Sequence, residues 1–148
     1  MDMTLAKIDK LKVALKSLVG IFVGFIVALV TIMALSFFSI FIFSYLIVDK
    51  APMDILMTSV EPLIYSLFTI FVGIAIGIYL SAEISGSPNI VNAILVAAMY
   101  GGFMFYIGQS PSNLDKEYPI WYEIASNIVL VPSFIAGYFL TLKAKSNT

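Results

Sequence analysis

The sequence predicts an all-α, polytopic membrane protein: an antiparallel bundle of four transmembrane helices, with a long first helix that starts as an amphipathic segment. Two observations carry this. Apolar residues make up 61% of the 148 and charged residues only 11%, against roughly 45–50% and about 25% in an average soluble protein. A chain this small leaves a large share of its surface exposed, so a water-soluble core has no room for that much apolar area. The apolar residues also fall into four continuous stretches of the ~20 residues that a ~30 Å hydrocarbon core requires. The ten-residue alternating strands of a membrane barrel do not fit such runs.

The expected spans are about 18–48, 62–82, 89–107 and 120–142, all within one domain covering residues 1–148. Ser87-Pro88 reads as a helix cap followed by proline at the first helical position, where the missing N–H costs nothing. Glu61-Pro62 and Tyr118-Pro119 repeat the pattern before the second and fourth spans. Gly108, with Ser110-Pro111 beyond it, reads as the stop of the third span. The short connection at 83–87 folds spans two and three into a hairpin.

Lysine placement sets the orientation, because lysine-rich flanks stay cytoplasmic. Lys7, Lys10, Lys12 and Lys16 precede the first span and Lys143 and Lys145 end the fourth, whereas Lys50 and Lys116 stand alone in their loops. Both termini are therefore expected in the cytoplasm, with the chain multi-pass in the cell membrane. Asp49, Asp54, Glu61, Asp115, Glu117 and Glu123 all fall on the outer side. Ala34-Leu35-Ser36 resembles a leader cleavage site, but apolar sequence continues through Val48 and a retained anchor is expected.

From Leu18 to Val48 the first span has 31 residues, about 46 Å at 1.5 Å per residue, so it must tilt, bend or project. Upstream, Leu5, Ile8, Leu11, Leu15 and Leu18 recur every three or four residues among Lys7, Asp9, Lys10 and Lys12. That amphipathic segment, residues 1–17, reads as a helix lying on the cytoplasmic interface or as a docking helix for a partner subunit.

Lipid gives helices no hydrophobic reason to associate, so small residues that allow close approach do much of that work. Gly20, Gly24 and Ala28 are four apart in span one. Thr69, Gly73, Gly77 and Ser81 are four apart in span two. Ala93, Ala97 and Gly101, then Ser133, Gly137 and Thr141, repeat the spacing in spans three and four. The outer half instead concentrates aromatics, among them Phe37, Phe41, Phe43, Tyr65, Phe68, Tyr118, Trp121 and Tyr122. They read as packing and lipid contact, or as an outer pocket for an apolar ligand. Residues 75–81 and 135–141 share a short pattern that suggests duplicated hairpins.

The candidate chemistry is sparse. The chain has no Cys and no His, and no Arg, which removes thiolate nucleophiles, the commonest general base and the usual metal, haem and iron–sulfur ligands. Neither catalytic nor metal residues are expected, and no cofactor. Glu61 and Glu123 sit at helix starts, where the helix dipole favours a carboxylate; Glu83 sits at a helix end with Lys143 and Lys145 as candidate partners. Asn92 and Asn127 lie within spans and need partners there, so each reads as glue between helices or as a ligand contact. Asn127, Glu123 and Tyr65 form the candidate outer cluster. Pro132 leaves the Ile128 carbonyl without its helical donor and predicts a kink in span four, and Gly101-Gly102 is a second weak point.

These features favour a non-catalytic accessory or scaffold subunit of a larger membrane complex. Its partners would be the lipid bilayer and other membrane subunits or itself, with no nucleic acid. A small homo-oligomeric transporter or channel using Asn92, Asn127, Glu123 and Pro132 is the alternative. A lipid or quinone binder using the outer aromatics is the third.

Overall fold

The protein is represented by a computed structural model that describes residues 2–46, 59–86, 89–108 and 118–146, with the backbone alone for 2–6, 44–46 and 108. Every element among these residues is helical. Helix α1 covers Asp2–Leu46, α2 Val60–Ser85, α3 Ile90–Gly108, α4 Ile120–Ile128 and α5 Leu130–Ser146. Taking α4 and α5 as one segment, four helices are long and apolar enough to cross a membrane.

Helix α1 is a single element of 45 residues, about 67 Å at 1.5 Å per residue. It absorbs the amphipathic segment without interruption, so no separate interfacial helix forms. Gly20 lies against Ser85, the last residue of α2. Residues 2–16 therefore extend past the end of α2, by roughly 22 Å at the same rise.

The helix starts differ from expectation in detail. Ser59 caps α2, which places Pro62 at its third position, and Pro119 itself is the cap of α4. Proline is tolerated at both places because first-turn N–H groups have no partner within the helix. Asn89 caps α3, its Oδ1 accepting the Val91 N–H at 2.9 Å; Ser87-Pro88 and Ser110-Pro111 lie outside the described residues. Helix α2 stops at Gly86, whose φ of 74° lets its N–H donate to the Glu83 carbonyl at 3.2 Å. Glycine takes that left-handed conformation without steric cost. Lys145 Nζ donates to the Gly86 carbonyl at 2.5 Å, a cation at the negative end of the α2 dipole.

Helix α2 is packed on two sides. Gly20, Gly24 and Ala28 of α1 meet Ser85, Ser81 and Gly77, and Ile32 meets Gly73, so residue numbers rise along one helix as they fall along the other. On the other side Tyr122 meets Ser66, Gly137 meets Ala75 and Ile78, and Lys145 meets Gly86, with numbers rising together. Helix α3 closes the core through Ala93, Val96 and Tyr100, packed with Ile21 of α1 and Ile70, Ile74 and Ile78 of α2. Gly77 faces α1 whereas Gly137 faces α2, so the two similar segments occupy different surroundings in their hairpins.

Exposure is unlike that of a water-soluble domain, although Ile74 and Val96 are buried as in any core. Thr69, Ser81 and Ser133 are completely buried, while Phe37 and Phe41 are each 69% exposed. In water the large apolar side chains would be the ones inside.

Candidate functional site

The candidate site residues fall into three places. The first is a polar node where α1, α2 and α3 meet. Asn92 is buried and its Nδ2 donates to Ser85 Oγ at 2.9 Å and to Ser17 Oγ at 3.4 Å. Ser85 Oγ donates in turn to the Ser81 carbonyl at 2.6 Å. The amide thus joins three helices beside the closest α1–α2 contact. Ser81 Oγ, next to this node, is buried with no hydrogen-bond partner among the described residues.

The glycines divide sharply. A Cβ on Gly20 would stand 2.5 Å from Ser85 Oγ, and one on Gly24 would stand 2.5 Å from the Gly77 carbonyl oxygen. Gly73 is closed off by Ile32 and Gly77 by the Gly24 carbonyl, while a Cβ on Gly137 would come to 2.9 Å from the Ala75 carbonyl. Gly101 meets only Leu130 at 3.4 Å and Gly102 meets nothing within 4 Å. Helix α3 runs through both without a break, and neither glycine makes a close backbone contact like those of Gly24, Gly77 and Gly137.

The second place is a pocket of about 260 Å³ at the ends of α1, α2 and α4 nearest the first and third loops. Phe43, Tyr65, Tyr118 and Tyr122 supply its rings, with Ile40, Pro62 and Leu63 between them and Ser36, Ser39 and Ser66 as hydroxyls. The rings interlock at edge and tilted angles: Phe43–Tyr65 at 6.0 Å and 78°, Tyr118–Tyr122 at 5.4 Å and 37°. The Ser66 and Tyr122 hydroxyls bond at 2.8 Å, tying α4 to α2. Tyr65 is therefore in a site, but Glu123 and Asn127 do not line it. Both are exposed, and Asn127 Nδ2 donates to the Glu123 carbonyl at 2.8 Å on its own helix. One residue along the helix, Tyr122 occupies the place expected for Glu123. Phe43, Tyr65, Tyr118 and Tyr122 are among the outer aromatics that the sequence singles out; the serines of α1 do not stand out there, where a hydroxyl among phenylalanines looks the same whether or not it lines a cavity.

Pro132 is exposed, and the helix is interrupted at Val129, the residue after Ile128. The next carbonyl, of Val129, receives both the Ser133 N–H at 3.1 Å and the Ser133 hydroxyl at 2.6 Å, so the helical pairing resumes directly after the proline. Among the described residues no three His, Cys, Asp or Glu side chains gather where they could hold a metal.

The third place is the part of α1 beyond α2. All side chains from Lys7 to Lys16 are exposed. Leu11, Leu15 and Leu18, between 61% and 71% exposed, make one apolar stripe with Ile8.

No protein-family model matches this chain, and no curated protein and no solved structure matches it.

Proposed function

We propose that the chain is a non-catalytic, multi-span protein of the cell membrane that serves as a small accessory or scaffold subunit of a larger membrane complex. The membrane reading is supported by the four long apolar helices and by hydroxyls and glycines inside with phenylalanines outside. The opposed residue order of α1 and α2, and the common order of α2 and α4–α5, support an antiparallel bundle. Lysines in the N-terminal turns of α1 and at the end of α5 then put both termini in the cytoplasm.

The observation that carries the subunit role is the uncovered apolar stripe on the projecting turns of α1. A helix end that only anchors the chain needs no leucines beyond the bilayer; one that meets another subunit does. The transporter reading rests on Asn92, Asn127 and Glu123, and here Asn92 is bonded to Ser85 and Ser17 and Asn127 to its own backbone.

A photo-crosslinking residue placed at Leu11 or Leu15 tests the proposal in the native membrane. The expected product is an adduct with a different protein, absent when the crosslinker replaces Asp9. Adducts with lipid or with a second copy alone would overturn the subunit role.

A further inference from the structure

Within the pocket, Ser39 is only 8% exposed and lines the cavity with Ser36, one turn before it, and Ser66. The pocket thus combines aromatic walls with serine hydroxyls that can donate to a ligand.

No charged side chain lines it among the described residues. An anionic head would be left there without a counter-charge, at a cost that grows as the site excludes water. The order of the lining along the helices adds a direction. Ser36 and Ser39 precede Phe43 along α1, and Ser66 follows Pro62 along α2, so the hydroxyls lie on the bundle side of the cavity and Phe43 and Pro62 nearer the helix ends. The described lining thus offers hydroxyls and ring faces, which suit a neutral polar head.

We infer that the cavity between α1, α2 and α4 binds an uncharged, membrane-soluble lipophile whose head carries a carbonyl, with Ser39 donating to that carbonyl and the four rings enclosing the head. The volume, about 260 Å³, lies just below the usual range of ligand pockets, ~300–1,000 Å³. It suits one head group, with any tail left in the lipid. The inference does not depend on the subunit role.

Trp121 is the chain's one tryptophan and its ring meets Tyr122 at 6.0 Å, so its fluorescence reports on this site. Decylubiquinone, a neutral quinone that quenches tryptophan, is titrated into the full chain in phosphatidylcholine nanodiscs. The expected result is saturable quenching, lost in Ser39→Phe, which fills the cavity. Ser39→Ala is expected to weaken binding about threefold to tenfold, the range of one hydrogen bond, and stands in if the phenylalanine variant does not fold. Monoolein, an uncharged carbonyl lipid, displaces the quinone and phosphatidylglycerol does not. Quenching that rises linearly and equally in wild type and both variants would overturn the proposal, as would displacement by phosphatidylglycerol.

Discussion

Gly24 of α1 and Gly77 of α2 touch through their backbones: a Cβ on Gly24 would stand 2.5 Å from the Gly77 carbonyl oxygen, and one on Gly77 would run into the Gly24 carbonyl. The obstacle is backbone in both directions, so a larger residue cannot be accommodated by turning a side chain. Gly77→Ala is expected to force α1 and α2 apart at a cost of about 1–3 kcal/mol, the usual range for overpacking. Gly102, with nothing within 4 Å of its would-be Cβ, is the control. Gly102→Ala is expected to be neutral or to stabilise α3 by up to ~1 kcal/mol through helix propensity. Reversible unfolding in mixed micelles, followed by Trp121 fluorescence, measures both.

The amide of Asn92 links three helices through Ser85 and Ser17. Hydrogen bonds between membrane helices are modest, averaging about 0.6 kcal/mol with a ceiling near 1.7. A double-mutant cycle of Asn92→Ala with Ser85→Ala is expected to give a coupling energy in that range. Additive losses would show that the two side chains do not act on each other.

Pro132 cannot donate to the Ile128 carbonyl, and the helix is interrupted at Val129. Pro132→Ala restores that donor and is expected to join α4 and α5 into one helix. Amide hydrogen exchange at Leu130 and Val131 should slow. The cost of a proline in a helix interior, ~3 kcal/mol, sets an upper limit on the stabilisation.

The chain has no cysteine, so single cysteines report orientation without background. In intact cells Ser59→Cys and Pro119→Cys are expected to react with an impermeant maleimide added outside. Lys7→Cys and Ser146→Cys are expected to react only after the cells are opened. The reverse pattern would invert the proposed topology.

Much of the helix layout was legible in the sequence, because a run of apolar residues without charge leaves few alternatives in a chain this small. The small-residue faces of α1 and α2 were legible too, since Gly20 and Gly24, and Gly73 and Gly77, repeat at the spacing of one helical face, but not that these two faces meet each other. Three further things were not. The cap of α2 fell to Ser59 although Pro62 gave the stronger local signal, because any position in the first turn admits proline. Gly101 shares the four-residue spacing of the other stripes yet makes no close contact; spacing fixes a face but not what faces it. The place of Ser39 in the pocket was invisible for a related reason. Glu123 and Asn127 drew notice as polar residues in an apolar run, whereas Ser39 sits on a different helix, and only the fold brings it to the cavity that Tyr122 lines.

The subunit role is tested most directly by native mass spectrometry of a tagged copy extracted gently from its own membrane, beside Leu11→Glu and Leu15→Glu variants. The account predicts that the wild-type chain of 16.2 kDa carries a foreign subunit in fixed stoichiometry, and that both variants remain folded but lose it. A wild-type protein found alone, or in multiples of its own mass with no other chain, would contradict it.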